Sequence, residues 1–261
     1  MIKLIVSDLD GTLIRKGMIH ISPRVHELIH RMQKHGILFC AASGRPFNGL
    51  QLEFAPEKDE IAYISESGSI GGYNGELFYD HPLDRETVVN LVKDIRAKEG
   101  RDILYSRFDS TYIETEPGSR FYKYMIDELC YPARLVPDLL ELSGSCYKVA
   151  SCNFNGFAED LDFYRERYGK DNTVVASGPV WVDIIPKDIN KGTCLQVLLN
   201  KLGIAPDEIL VFGDQENDLG MLELAEHAYA MEDSMEHVKK AAGQWTDCPE
   251  DVIEAYLNTL D

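Results

Sequence analysis

Residues 2–12 read Ile2-Lys3-Leu4-Ile5-Val6-Ser7-Asp8-Leu9-Asp10-Gly11-Thr12. The run Ile2–Val6 has the length and apolar character of a buried strand. The turn behind it, Ser7–Thr12, carries two carboxylates two residues apart. Gly11 opens unusual backbone angles there, and Thr12 supplies a hydroxyl and an amide. Asp-x-Asp-Gly is also ordinary turn chemistry, so the pattern around the turn decides what it means.

That pattern repeats. Ser22-Pro23 opens a helix with apolar positions Val25, Leu28, Ile29 and Met32, stopped by Gly36. Ile37–Ala42 is a second apolar run, ending in Ser43-Gly44-Arg45, and Ala62–Ile64 is a third. Far downstream, Ile209–Phe212 ends in Gly213-Asp214. Apolar strands alternating with amphipathic helices predict a parallel sheet with helices on both faces. Such sheets bind ligands at the carboxyl ends of their strands, so these turns belong on one edge.

The middle of the chain has another grain. Ile70–Tyr79 reads as a hairpin turning at Asn74-Gly75. Helices are predicted near 84–99, 118–129 and 156–168. Strands are predicted near 102–107, 111–115, 145–152, 173–177 and 180–185. Their pairing order predicts an antiparallel α+β layer over 82–185, inserted into a core made of 1–81 and 186–261.

The chain has 261 residues, with 26 Lys+Arg against 44 Asp+Glu and a formal net charge of −18. A field of that sign repels polyphosphates, which excludes general nucleic-acid binding. Hydrophobic residues make up 44% of the chain, so the acidity does not mean disorder. No apolar run approaches the roughly 18 residues of a membrane span, and Leu4–Val6 is too short for a signal peptide. Cysteines 40, 130, 146, 152, 194 and 248 form no CxxC pair. They read as reduced thiols of a cytoplasmic protein.

Four motifs in order resemble the haloacid dehalogenase-like superfamily. They are Asp8–Thr12, Ser43–Arg45, Lys191-Gly192 after Asp188-Ile189-Asn190, and Gly213-Asp214 with Asn217-Asp218 and Met221-Leu222. The position and size of the insert narrow the likeness to Cof-type phosphatases with a type IIB α/β cap. The resemblance implies a Rossmann-like parallel-sheet core with an inserted α+β cap that closes over the site and selects the substrate. It implies Asp8 as nucleophile, Asp10 as acid and base, and Lys191 as the catalytic cation. It places Leu9, Gly11, Thr12, Ser43, Gly44, Arg45 and Asn217 around the phosphate. It places Asp8, Asp10 (through its backbone carbonyl), Asp214 and Asp218 around Mg²⁺. The expected partner is a small-molecule phosphate ester, hydrolysed through an aspartyl-phosphate.

Asp10 narrows the chemistry. Superfamily dehalogenases lack this second carboxylate, so its presence favours phosphomonoester hydrolysis or a phosphomutase. A non-catalytic regulator on the same scaffold would predict a missing catalytic residue. Glu66-Ser67-Gly68 departs from the family's frequent Glu-Asn-Gly, which leaves substrate orientation open at Ser67. His26-Glu27-Leu28-Ile29-His30 matches the zinc-protease pattern. The helix, however, already buries its other face, and this leaves both histidines on the polar side.

Overall fold

A computed structural model describes residues 1–129, 131–177 and 179–261 of the chain. Along the sequence the first elements are β1 (Leu4–Asp8), α1 (Pro23–Lys34), β2 (Leu38–Ala42), α2 (Phe47–Glu53), β3 (Ala62–Ser65), β4 (Ile70–Tyr73) and β5 (Glu76–Asp80). The middle holds α3 (Arg85–Arg96), β6 (Asp102–Ser106), β7 (Thr111–Ile113), α4 (Arg120–Lys123), β8 (Ala133–Leu135), β9 (Lys148–Cys152), α5 (Ala158–Tyr168), β10 (Asn172–Ala176) and β11 (Trp181–Pro186). The chain ends with α6 (Lys191–Leu202), β12 (Ile209–Gly213), α7 (Leu219–Leu222), β13 (His227–Met231), α8 (Glu236–Ala242), β14 (Gly243–Thr246) and α9 (Pro249–Leu257). It divides into two compact units: Met1–Arg45, Leu50–Asp80 and Asn190–Asp261 form the first, Pro46–Gly49 and His81–Ile189 the second.

The first unit is built on an eight-stranded sheet in the order β14-β13-β12-β1-β2-β3-β4-β5. All neighbours from β14 to β3 run parallel, and β3-β4-β5 is antiparallel. Both faces of the sheet are covered, so its central strands carry apolar side chains on either side. Leu4, Val6, Cys40, Ala42, Ile64 and Val211 point to a core closed by Leu195 and Leu198 of α6, Met221 of α7 and Val238 of α8. The alternate residues Ile5, Phe39 and Tyr63 face the other way, where α1 packs on β2 and α9. Helix α1 buries Val25, Leu28, Ile29 and Met32, with Pro23 at its first turn. The β4-β5 hairpin turns through Asn74 (φ 54°) and Gly75 (φ 75°), the left-handed pair that a two-residue turn of this kind requires.

The second unit holds a six-stranded sheet, β10-β11-β9-β6-β7-β8. Its pairings are antiparallel except β7 with β8, which run parallel. Leu91, Val92 and Ile95 of α3 and Tyr164 of α5 cover one face, packing on Ile103, Tyr105, Val149 and Val182. Phe121 and Met125 cover the other, against Leu104, Ile113, Ala150 and Trp181. The single helix expected near 118–129 is instead α4 followed by a π-helical stretch, Tyr124–Glu128. Strand β8 is an element the sequence pattern did not mark.

Among the described residues no helix is long and apolar enough to cross a membrane. Cys40, Cys146, Cys152, Cys194 and Cys248 are in the reduced, thiol form. Cys130 lies outside the described residues.

Candidate active site

Strand register brings the motifs together. Asp8 of β1 stands level with Ala42 of β2, and Ser7 with Phe212 of β12. The turns after these three strands therefore leave the sheet side by side, carrying Leu9–Thr12, Ser43–Arg45 and Asp214–Asp218. Lys191 arrives at the first position of α6. Asn190 caps that helix, accepting from the Thr193 N–H at 3.0 Å, while its own N–H donates to the Thr193 hydroxyl. This reciprocal cap fixes where the lysine starts.

The Lys191 ammonium is fully buried. It donates to Asp8 Oδ1 at 2.5 Å and to Asp218 Oδ1 at 2.6 Å. Asp218 Oδ2 accepts from the N–H groups of Asp214 (2.9 Å) and Gln215 (3.0 Å), which locks the turn after β12. Asp8, Asp214 and Asp218 each offer a carboxylate oxygen, all within 4.8 Å of one another. The Thr12 hydroxyl donates to Asp214 Oδ1 at 3.2 Å. Gly11 lies at φ +100°, and a Cβ there would stand 2.1 Å from Asp214 Oδ2. Only glycine lets the two turns approach this closely.

Two of the three carboxylates, Asp8 and Asp218, thus share one ammonium. Burial holds the Asp8 carboxyl well above the usual carboxylate range; Lys191 opposes this, while the charges of Asp218 and Asp214 add to it. Burial also raises Asp214, again with help from Asp218. Burial pulls Lys191 down, but Asp218 and Asp8 outweigh it and leave the ammonium above its ordinary value. Asp8 Oδ2 is buried without a hydrogen-bond partner. A buried orphan oxygen beside two further carboxylates is a donor set of hard oxygens, the kind a hard divalent cation takes. The residues fit such an ion.

Asp10 stands apart from this cluster, with its side chain 53% exposed. Arg45 grips it in a fork, Nε to Oδ2 at 2.8 Å and Nη2 to Oδ1 at 2.6 Å. Arg45, expected beside the phosphate, directs two of its guanidinium nitrogens to Asp10. The Gly11 and Thr12 N–H groups are taken up inside their own turn, by the carbonyls of Ile14 (3.0 Å) and Leu9 (3.2 Å). Ser43 is buried and its hydroxyl accepts the Arg45 N–H at 3.1 Å. A Cβ on Gly44 would lie 3.3 Å from Ser67 Oγ, so Ser67 borders this turn. Ser67 sits at φ 57°, a left-handed conformation that asparagine adopts more readily than serine. Asn217 is exposed on the turn after β12.

A family model described as haloacid dehalogenase-like hydrolase matches residues 5–255. The chain belongs to this family. Two curated relatives of this haloacid dehalogenase-like hydrolase are phosphatases. One, from Escherichia coli strain K12, is a 5-amino-6-(5-phospho-D-ribitylamino)uracil phosphatase, 26% identical, with 92% of this chain and 89% of the relative covered. The other is a phosphoglycolate phosphatase from Thermoplasma volcanium, 28% identical, covering 93% and 90%. The fold is also that of a HAD subclass IIB sugar phosphatase, with a TM-score of 0.74 at 21% identity over 98% of each chain.

In this hydrolase the His-Glu-x-x-His stretch of α1 serves another contact. His26 Nδ1 lies 2.8 Å and His30 Nε2 3.3 Å from the fully buried carboxylate of Glu57. Among the described residues, the grouping of three or more acidic, His or Cys donors within 4.8 Å is the Asp8–Asp214–Asp218 set. One residue the sequence reading missed is Glu53, at the end of α2, whose Oε2 lies 3.5 Å from Arg45 Nη1. Its signal was an acidic side chain eight positions after Arg45, on a helix that the apolar pattern did not reveal.

Proposed function

We propose that this hydrolase is a Mg²⁺-dependent phosphatase of small phosphorylated metabolites, acting through an aspartyl-phosphate on Asp8. The observation that carries the reading is the Asp8 carboxylate itself. One oxygen is held by Lys191 and the other is buried without a partner, at a strand end beside two further carboxylates. In the first step Asp8 attacks phosphorus, the bond to the leaving oxygen breaks, and Asp10 gives that oxygen a proton. In the second step Asp10 takes a proton from water, the water oxygen attacks phosphorus, and phosphate leaves with Asp8 regenerated.

A carboxylate and a phosphoryl oxygen repel each other by about 4 kcal/mol at 4 Å and an effective dielectric near 20. Asp8, Asp214 and Asp218, with the Asp10 carbonyl, would hold Mg²⁺, which when bound offsets that repulsion. Lys191 adds a fixed positive charge against Asp8. The hydroxyl of Ser43 and the amide of Gly44, in the turn after β2, would donate to the phosphoryl oxygens. The substrates that give the two relatives their names, a ribityl phosphate and phosphoglycolate, support a small phosphate monoester. Sugar phosphates, flavin mononucleotide and pyridoxal phosphate belong on the same panel. We read the inserted segment 82–185 as the part that selects among them, and the reduced thiols as those of a cytoplasmic enzyme.

The test is a phosphate-release panel of phosphorylated metabolites with Mg²⁺, run on wild type and Asp8→Ala. The expected result is stoichiometric inorganic phosphate from wild type and loss of nearly all turnover in the folded variant. Wild-type turnover in Asp8→Ala would sink the assignment. Return of the phosphate to a second position of the substrate would instead mark a phosphomutase.

A further inference from the structure

We infer that Arg45, braced by Glu53, is a positioning residue for the Asp10 carboxylate rather than a phosphate contact. The inference rests on the reading of Asp10 as acid and base. Asp10 lies on an exposed turn, where a short carboxylate alone has several rotamers open to it. The Arg45 fork removes that freedom. Two parallel N–H···O contacts, at 2.8 and 2.6 Å, fix both the plane and the direction of the carboxylate. A planar guanidinium does this where a lysine, a point charge, does not.

The fork is itself anchored. The Arg45 N–H donates to Ser43 Oγ at 3.1 Å, and its carbonyl accepts from the Glu66 N–H at 3.1 Å, so its backbone is tied to the turn after β2. Its Nη1 faces Glu53 Oε2 at 3.5 Å. Glu53 is held in turn by the Ile21 N–H, which donates to Oε1 at 2.7 Å, and its Oε2 also lies 3.3 Å from His20 Nδ1. The Glu53 side chain is only 6% exposed, against 53% for Asp10. The rigid end of the relay is therefore inside and the directed end is at the solvent side. Two of the three guanidinium nitrogens are committed to Asp10 and the third to Glu53.

The arrangement leaves Asp10 able to work. A carboxylate offers about four lone-pair sites, and the fork occupies two, so each oxygen retains one for a proton. Exposed ion pairs contribute little to stability, so the value of this one lies in aim. Proton transfer needs heavy atoms within about 2.6–3.2 Å, and a misplacement of about 1 Å costs roughly 100-fold.

The experiment compares two esters in the full-length enzyme with Mg²⁺. One is the alkyl monoester turned over best in the metabolite panel, whose alkoxide must be protonated as it leaves. The other is p-nitrophenyl phosphate, whose phenolate leaves without a proton. Alcohol release in the first turnover is measured by rapid quench for wild type, Arg45→Ala, Arg45→Lys and Glu53→Gln, with KM from the steady state. We expect Arg45→Ala to slow the alkyl ester by about 10- to 100-fold, with KM within about twofold and the nitrophenyl ester slowed less than about threefold. Arg45→Lys should not restore the alkyl rate, and Glu53→Gln should show a weaker loss of the same alkyl-selective kind. Equal losses on both esters with a raised KM would overturn the inference in favour of a phosphate contact, as would unchanged rates on both. Those outcomes leave the phosphatase reading standing. Absence of wild-type turnover on every ester would overturn that reading, and this inference with it.

Discussion

Replacing Lys191 by Met keeps most of the buried stem and removes only the ammonium. In wild type that ammonium sits 2.5 Å from Asp8 and 2.6 Å from Asp218, and neither it nor Asp218 touches solvent. Without it, three carboxylates with oxygens within 4.8 Å face one another uncompensated. At that separation and an effective dielectric near 20, each pair of ionised groups costs about 3.5 kcal/mol. Removing one partner of a buried ion pair typically costs about 3–5 kcal/mol. Lys191→Met in EDTA at pH 7 should therefore melt about 6–20 °C below wild type.

The pH dependence separates charge from packing. The Asp8 and Asp214 carboxyls are raised in the folded state. Their contribution to stability is complete below the unfolded value, about pH 4, and is lost as pH rises through the higher folded values. The deficit of Lys191→Met should therefore shrink as pH falls from 7 toward 4. Adding Mg²⁺ at pH 7 should recover more stability in the variant than in wild type. Asp218→Asn in the Lys191→Met background should also recover part of the loss, because it deletes one of the stranded charges. The measurement is thermal unfolding by circular dichroism over a pH series, with and without the metal. A melting point within about 1 °C of wild type at pH 7, against the shift expected above, or an equal deficit at pH 4 and pH 7, would refute the reasoning.

Two further outcomes follow from the same geometry. Gly11→Ala places a Cβ at φ +100° into the space of Asp214 Oδ2, so calorimetric titration should show Mg²⁺ affinity falling about 10- to 100-fold; a dissociation constant within about twofold of wild type would contradict the close approach. Buried Glu250 is forked by Arg15 at 2.5 and 3.0 Å, and although burial pushes its carboxyl up, the Arg15 contact wins and holds it below the usual value. Its stabilisation is present above about pH 4.3 and is lost as pH falls through the lowered folded value, so Glu250→Gln should flatten the acid limb of a stability profile, which urea unfolding between pH 3 and 7 would reveal.

The parts of the fold that could be read from the sequence are those where burial acts on both sides of a strand. β1, β2, β3 and β12 are apolar on successive residues because both sheet faces are covered, and that run survives as a one-dimensional signal. Helix α1 was legible through four buried positions at helical spacing. β8 was not, because Ala133, Arg134 and Leu135 are too few and too exposed to carry a period. The π-helical turn at Tyr124–Glu128 is a shift in backbone hydrogen bonding that leaves the apolar spacing almost untouched. At the site, residue types in the turns indicated which chemistry to look for; strand register brought Asp8 beside Asp214 and Asp218, and the capped start of α6 delivered Lys191 to them. The Arg45–Asp10 fork was invisible, because 35 residues separate the partners and only the alignment of β1 with β2 makes them neighbours. Glu53 was a second step further from view, since its meaning depends on where Arg45 points.

Strand β1 has a further consequence for how this chain is made. Its two edges pair with β2 and with β12, and Leu4 meets its β12 partner at Ile209, 205 residues later (209 − 4). At about 5–20 residues per second on the ribosome, roughly 10–40 s pass between the synthesis of those two strands. Through that interval the backbone donors and acceptors on one side of Leu4–Ser7 have no strand to close them. A chaperone that shields nascent strand edges, or slow translation across residues 190–213, would act on this window. The yield of native protein should thus be governed by the late arrival of β12 as much as by the stability of the finished sheet.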